Sequence, residues 1–319
     1  MKSDTILYSV IRTEHMIHND FFLRYLEFEP DETPTGLTFS CRSGGIELCA
    51  VRYAKAEITA RLRHGAEEAA RYRASSLKRK LGLSYRPQKA IMHEHFSFFA
   101  SQPADELAIL CQTETGVLER RVPIHPYVSP NRYIFPLSGA VLVTDTYPAI
   151  NSHRWCRNSE FAFDAGAFDE TLSHPIIAGA PVFAACGGTV EEVFDGLPDT
   201  TGGTDLEEIE TQYGEHAHID GNHVLLRHPG GELSLYAHLQ KGSIPVAKGQ
   251  PISPGQQIGR VGSSGSSYIP HLHFHVMLEG IEGPGVPVVF DGLKTICDEP
   301  CLLDDTVNLV RADPLSPQP

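Results

Sequence analysis

The stretch HLHFHVM, His271 to Met277, decides how the rest of the chain is read. Side chains on a strand alternate faces, so His271, His273 and His275 point one way and Leu272, Phe274 and Val276 the other. An apolar face gluing the strand to a core, with imidazoles lined up opposite, is what a strand-borne metal site needs. Neutral imidazole is also a common zinc ligand. Alone, the H-x-H spacing is weak. The chain also contains His93-Glu-His95 and His216-Ala-His218, so some such pairs arise by chance, and scattered surface histidines are the better reading of His15, His18, His93 and His95.

The neighbours of this stretch strengthen it. Upstream, SLYAHL puts His238 on the second strand of a hairpin that turns at Pro229-Gly230-Gly231. Further up, SHRWCRNSEFAFDAG holds His153 and then Asp164, the latter in an alternating Phe161/Phe163 strand. An aspartate among aromatics is costly to bury unless it is paired or bound to metal. A turn or cap role for Asp164 and a satisfied, half-buried state for His238 are the bland alternatives. Each suffices when its residue is taken singly.

Taken together, FAFDAG, GAPVFAACGGTVEEVFDG and the run from GNHVLLRHPGGELSLYAHL to SSYIPHLHFHV, in that order between His153 and Met277, resemble the lysostaphin-type (LytM-like) zinc metalloendopeptidases, a family of peptidoglycan hydrolases. The resemblance implies a mostly antiparallel β-sheet core with a groove, the duplicated hybrid motif, and one Zn2+ per chain held by His, Asp and His. By position, Asp164 matches the aspartate ligand and His273 the second histidine ligand. His238 and His271 match the pair that works on the substrate. The family's first ligand sits four residues before the aspartate, where this chain has Glu160. His153, in a longer loop, is therefore assigned as first ligand, with Glu160 as the alternative, since a carboxylate also binds zinc. Three protein ligands leave the fourth position for water. There is no H-E-x-x-H motif and so no glutamate base of that kind. The resemblance then leaves the proton work and oxyanion stabilisation to His238 and His271. It implies peptidoglycan peptides as substrate and the cell envelope or secretion as location.

Composition bounds the remainder. A chain of 319 residues allows about two domains. With 26 Lys plus Arg against 40 Asp plus Glu, the formal charge of −14 argues against a nucleic-acid binder, which needs a basic face. No apolar run approaches the ~18 residues of a membrane span; the best, Pro175 to Cys186, is broken by Gly179 and Pro181. The opening MKSDTILYSVIRTEHMIHND lacks the apolar h-region and cleavage site of a secretory signal. Either a leader has been removed, or the protein stays in the cytoplasm. Seven cysteines without C-x-x-C spacing exclude a dense disulfide scaffold; Cys297 and Cys301 either pair or are ordinary thiols.

Residues 1–128 read as a small β-rich domain, sandwich-like, with strands at ILYSVI, FFLRYLEFE, GLTFSC, IELCAVRY, AIMHEHFSFFA and a hairpin in ELAILCQTETGVLERRVPIHPY. One helix is predicted from Leu62 to Leu81, stopped by Gly82 and carrying a basic run that ends at Lys89. That run is a solvated face or a dock for an anionic polymer. Residues 129–302 form the peptidase domain, entered through PYVSPNRYIFPLSG. An acidic stretch, 191–220, with ten acids and no Lys or Arg, reads as a loop insertion beside the groove. If it prefers a cationic amine on the substrate, neutralising Glu207, Glu208 and Glu210 must change turnover. Residues 303–319 read as a frayed tail.

Two rival activities are poorly supported. IPVAKGQPISPGQQIGRVGSSGS has the hairpin rhythm of a biotinyl or lipoyl carrier, but Lys248 lacks flanking methionines. Gly262-Ser263-Ser264-Gly265 is not a G-x-S-x-G nucleophile elbow and reads as a polar turn ahead of the HLH strand. A catalytically inactive protein of the same fold, regulating other cell-wall enzymes, remains the alternative to the zinc peptidase.

Overall fold

The computed structural model describes residues 1–4, 6–13, 16–28, 34–62, 90–144, 153, 157–167, 176–201, 204–267, 269–281, 283–295 and 309–312. The chain divides into two compact units, Met1–Val128 and Ser129–Pro319. Most of the predicted helix Leu62–Leu81, its basic run, His15, and Cys297 with Cys301 lie outside the described residues; the helix seen here occupies residues 55–62.

The first unit contains β1 (Lys2–Ser3), β2 (Leu7–Thr13), β3 (Ile17–Phe28), β4 (Pro34–Ser43), β5 (Ile46–Ala54), β6 (Ala90–Ala100), β7 (Glu106–Thr113) and β8 (Val117–Pro126). Gly44 and Gly45 both take positive φ, 54° and 83°, the two-residue hairpin turn that matches strand twist. The sequence reads this unit as β-rich and sandwich-like. The eight strands instead form one sheet, ordered β1-β3-β2-β8-β7-β4-β5 with β6 on the other edge of β3. The sheet coils over its own core. Phe39 of β4 meets Phe96 of β6 with ring centroids 5.5 Å apart, although these strands lie far apart in the order. Sheet twist makes that closure possible without a second sheet.

The second unit contains β9 (Tyr133–Ile134), β10 (Gly139–Thr144), β11 (Phe163–Gly166), β12 (Pro181–Phe183), β13 (Gly188–Phe194), α1 (Leu206–Tyr213), α2 (Glu215–Asp220), β14 (Asn222–Arg227), β15 (Leu233–Leu239), β16 (Pro251–Ile252), β17 (Gln257–Arg260), β18 (Leu272–Met277), β19 (Gly285–Val286), β20 (Phe290–Asp291), β21 (Lys294–Thr295) and β22 (Leu309–Ala312). Ten of these make an antiparallel sheet, ordered β16-β13-β14-β15-β18-β11-β10-β22-β21, with β19 also on β18. The mostly β, antiparallel fold read from the sequence is therefore present. Beneath β18, Phe274 packs on Phe163 (5.3 Å), Tyr236 (5.2 Å) and Phe290 (5.7 Å). This aromatic layer fixes one face of the strand and leaves the histidine face for the site.

Two expectations are corrected. The acidic stretch is loop only in part: Glu191 and Glu192 lie in β13, residues 195–201 have no regular structure, and α1 and α2 follow. Asp205 caps α1 by accepting the Glu208 N–H at 3.1 Å, and acids in a first helical turn suit the helix dipole. Nor is the whole tail frayed. Leu309–Ala312 pairs with β10 and β21, and Val310 is fully buried, because the short LVRA run supplies a strand that completes the sheet.

Candidate active site

Strand register builds the centre of the site. Asp164 on β11 and Ala237 on β15 both lie directly opposite His273 of β18, one from each side. Cross-strand partners share a face, so the Asp164 carboxylate and the His273 imidazole meet: Oδ1 is 3.0 Å from Nδ1. The His153 Nε2 approaches the same oxygen at 3.6 Å. One ligand atom from each of His153, Asp164 and His273 falls within 4.8 Å of the others. Glu160, the alternative to His153, is buried but does not belong to this cluster.

His271 brings its Nε2 to 3.6 Å from Asp164 Oδ1. Its Nδ1–H is held by the Ile269 carbonyl at 2.8 Å, with Ser267 Oγ at 3.1 Å. His238 reaches the cluster by a different route. Since Ala237 shares the face of His273, regular alternation would send His238 into the aromatic layer. Its φ of 62°, rare for a residue with a side chain, breaks the alternation. The ring turns back to lie 4.7 Å from that of His271 and 5.8 Å from that of His273. Its Nδ1–H donates to the Ser264 carbonyl at 2.8 Å. Both His238 and His271 thus commit Nδ1 to backbone oxygen, which in the neutral ring leaves the lone pair on Nε2.

Burial disfavours ionisation of Asp164, but the imidazoles of His153, His273 and His271 outweigh it and hold the carboxyl well below the usual carboxylate range. Burial, reinforced by the neighbouring His271 and His273, pushes His238 down to about 3. At neutral pH the site therefore presents the anionic Asp164 carboxylate together with a neutral His238 ring.

Several supporting residues carried no signal in the sequence. Ser264 acts through its carbonyl on His238, while its hydroxyl donates to Leu239 O and accepts the Asn222 N–H, both at 2.8 Å. Gly221 lies against it: a Cβ there would stand 2.3 Å from Ser264 O, and φ is +63°. The serines of the GSSG turn are thus a polar scaffold for the histidines. The other H-x-H pairs are engaged elsewhere. His95 pairs with Asp20 at 2.6 Å in the first unit, and His216 and His218 face Asp220 and Glu210 at 3.4 and 3.1 Å.

Residues 172–283 match the family model of peptidase family M23, a span that takes in His238, His271 and His273. The lysostaphin-type, LytM-like resemblance is thereby borne out for this part of the chain. Peptidoglycan DD-endopeptidase ShyA of Vibrio cholerae serotype O1 is 42% identical over 60 residues, 19% of this chain and 14% of that protein. DD-carboxypeptidase/endopeptidase Mpg of Neisseria meningitidis serogroup B is 45% identical over 60 residues, 19% of this chain and 13% of that protein. The matches thus span less than a fifth of either relative. The catalytic domain of lysostaphin from Staphylococcus simulans aligns at 20% identity over 49% of this chain and 89% of that one, with a TM-score of 0.29, too loose a superposition to carry an argument.

Proposed function

We propose that the chain is a zinc-dependent endopeptidase that hydrolyses peptide bonds in bacterial cell-wall peptidoglycan. The observation that carries this reading is the convergence of His153, Asp164 and His273 on one point, with His238 and His271 beside it. The donor set suits zinc. Bonds of about 2.0–2.2 Å in tetrahedral geometry require donor–donor separations of roughly 3.3–3.6 Å. Asp164 Oδ1 lies 3.6 Å from His153 Nε2, within that range, and 3.0 Å from His273 Nδ1, a hydrogen-bond distance that must lengthen by a few tenths of an ångström when a metal enters. The names of the relatives, peptidoglycan DD-endopeptidase among them, support the substrate class and a location at the cell envelope. No helix among the described residues is long and apolar enough to cross a membrane.

When bound, zinc would polarise the scissile carbonyl and lower the pKa of a water molecule towards ~7. The chain's own residues would do the rest. His238 and His271 each offer an Nε2 lone pair, so either can accept a proton from the attacking water. His271 is the better carrier of that proton: it is less buried than His238, and its Nε2 lies beside the Asp164 carboxylate. Once protonated, the same nitrogen can donate to the developing oxyanion and then to the leaving amine. His238, kept neutral by burial, orients the water through a hydrogen bond.

Zinc stoichiometry and turnover of purified peptidoglycan fragments, measured on the native protein and His273→Ala, test the reading. About one zinc per chain and cleavage of wall peptides, both lost in the variant, are expected. Zinc without cleavage would turn the reading towards an inactive regulator of the same fold, and no zinc would overturn it.

A further inference from the structure

His275 takes no part in the chemistry above, yet it is joined to the centre. It lies two residues beyond His273 on the same face of β18 and is buried. Its Nδ1 stands 2.9 Å from Nε2 of His273, whose Nδ1 faces Asp164. Its own Nε2 is buried with no hydrogen-bond partner among the described residues.

A neutral imidazole carries one ring proton, so the two rings must agree on who donates. When no metal is bound, a neutral His273 can donate its Nδ1–H to Asp164, 3.0 Å away. That makes His273 Nε2 an acceptor and His275 Nδ1 the donor, and it leaves His275 Nε2 as the bare, buried atom. Ligation through Nδ1 of His273 requires the opposite arrangement. The His273 proton moves to Nε2 and is donated to Nδ1 of His275, whose own proton moves to Nε2. The pair keeps its two protons, each shifted across its ring.

We infer that His275 is a positioning residue for the metal centre: by accepting the Nε2–H of His273 it holds that ring in the tautomer and orientation that leave Nδ1 free to bind. This inference rests on the zinc reading proposed above. Metal-ligating histidines are commonly fixed in this way through their second nitrogen, and loss of such a partner costs about 10–100-fold in metal affinity.

The test uses zinc affinity by chelator competition and long-range 15N–1H spectra of histidine-labelled native protein. Zinc is expected to move the His275 proton from Nδ1 to Nε2. His275→Leu should bind zinc about 10–100-fold more weakly, whereas His275→Asn, whose Oδ1 takes the acceptor position of Nδ1, should recover most of that loss. A His275 tautomer unchanged by zinc, or a His275→Leu protein that binds zinc as tightly as the native one, overturns the inference. His273→Ala separates the two claims. If it keeps zinc, the metal reading itself fails; if it loses zinc while His275→Leu does not, only the positioning role fails.

Discussion

Asp164 and His273 are direct cross-strand partners, and their side chains meet with Oδ1 3.0 Å from Nδ1. Two residues separated by more than a hundred positions are thus held by sheet register rather than by a loop. A strand pair is a rigid support for ligands, and rigid elements hold sites more tightly than loops do. His153 alone of the proposed ligands lies outside a strand.

Replacing Asp164 by Asn tests the centre directly. The variant keeps the shape and can still accept the His273 Nδ1–H, so the fold should survive. It loses the anionic donor, and zinc affinity should fall by at least about 100-fold, beyond the range seen for outer-shell partners. Competition against a chelator of known affinity gives the number. An unchanged affinity would remove Asp164 from the ligand set.

The positive φ of His238 makes a second prediction. A side chain in the left-handed region costs about 1–2 kcal/mol, and glycine does not incur that cost. His238→Gly and His238→Ala should both abolish cleavage of wall fragments. In urea unfolding, the glycine variant should be the more stable of the two by about 1 kcal/mol. The reverse order would mean that the backbone is not strained there.

How much of this was legible beforehand follows from what each residue does. The alternation in HLHFHVM assigns β18 its two faces, because that pattern is local and periodic. The side of the sheet taken by His238 was not legible, since alternation gives the wrong face and only the backbone reversal corrects it. Ser264 was invisible for a related reason: its service to His238 comes from a carbonyl, which every residue has. The acidic stretch misled because ten acids without a base look like a solvated loop. The cap at Asp205 and the α1 that follows it depend on a local hydrogen bond. The single coiled sheet of the first unit depends on twist accumulated over many strands, which no short window contains.

Gly221 offers a prediction in which metal and catalysis part company. A methyl group there would press on Ser264 O, the acceptor that holds His238, at a φ of +63°. Gly221→Ala should cost more than about 2 kcal/mol of stability. It should also slow cleavage about 100-fold through displacement of His238. Zinc content should stay near native, because His153, Asp164 and His273 are not built on that turn. Loss of zinc together with activity would mean that the turn supports the whole centre rather than one histidine.

The depressed pKa of His238 ties stability to pH in the metal-free protein. Its folded value is about 3, against about 6.5 for an unfolded histidine. Between those values the unfolded chain binds the proton and the folded one does not. The contribution is therefore complete above about pH 6.5 and is lost as pH falls towards 3, at up to about 1.4 kcal/mol per pH unit. His275 and His228, also lowered mainly by burial, act in the same direction. Asp164 has the same sign in a different window, since its depressed carboxyl loses stability only below the unfolded carboxylate value of about 3.9. Between pH 6.5 and 4 the buried histidines thus set the slope for this group of residues. Urea midpoints of the zinc-free protein at pH 7 and pH 5 should fall more for native protein than for His238→Gly. Equal falls would show that His238 takes up its proton in the folded state near its ordinary pKa, and that the site is wetter than its burial indicates.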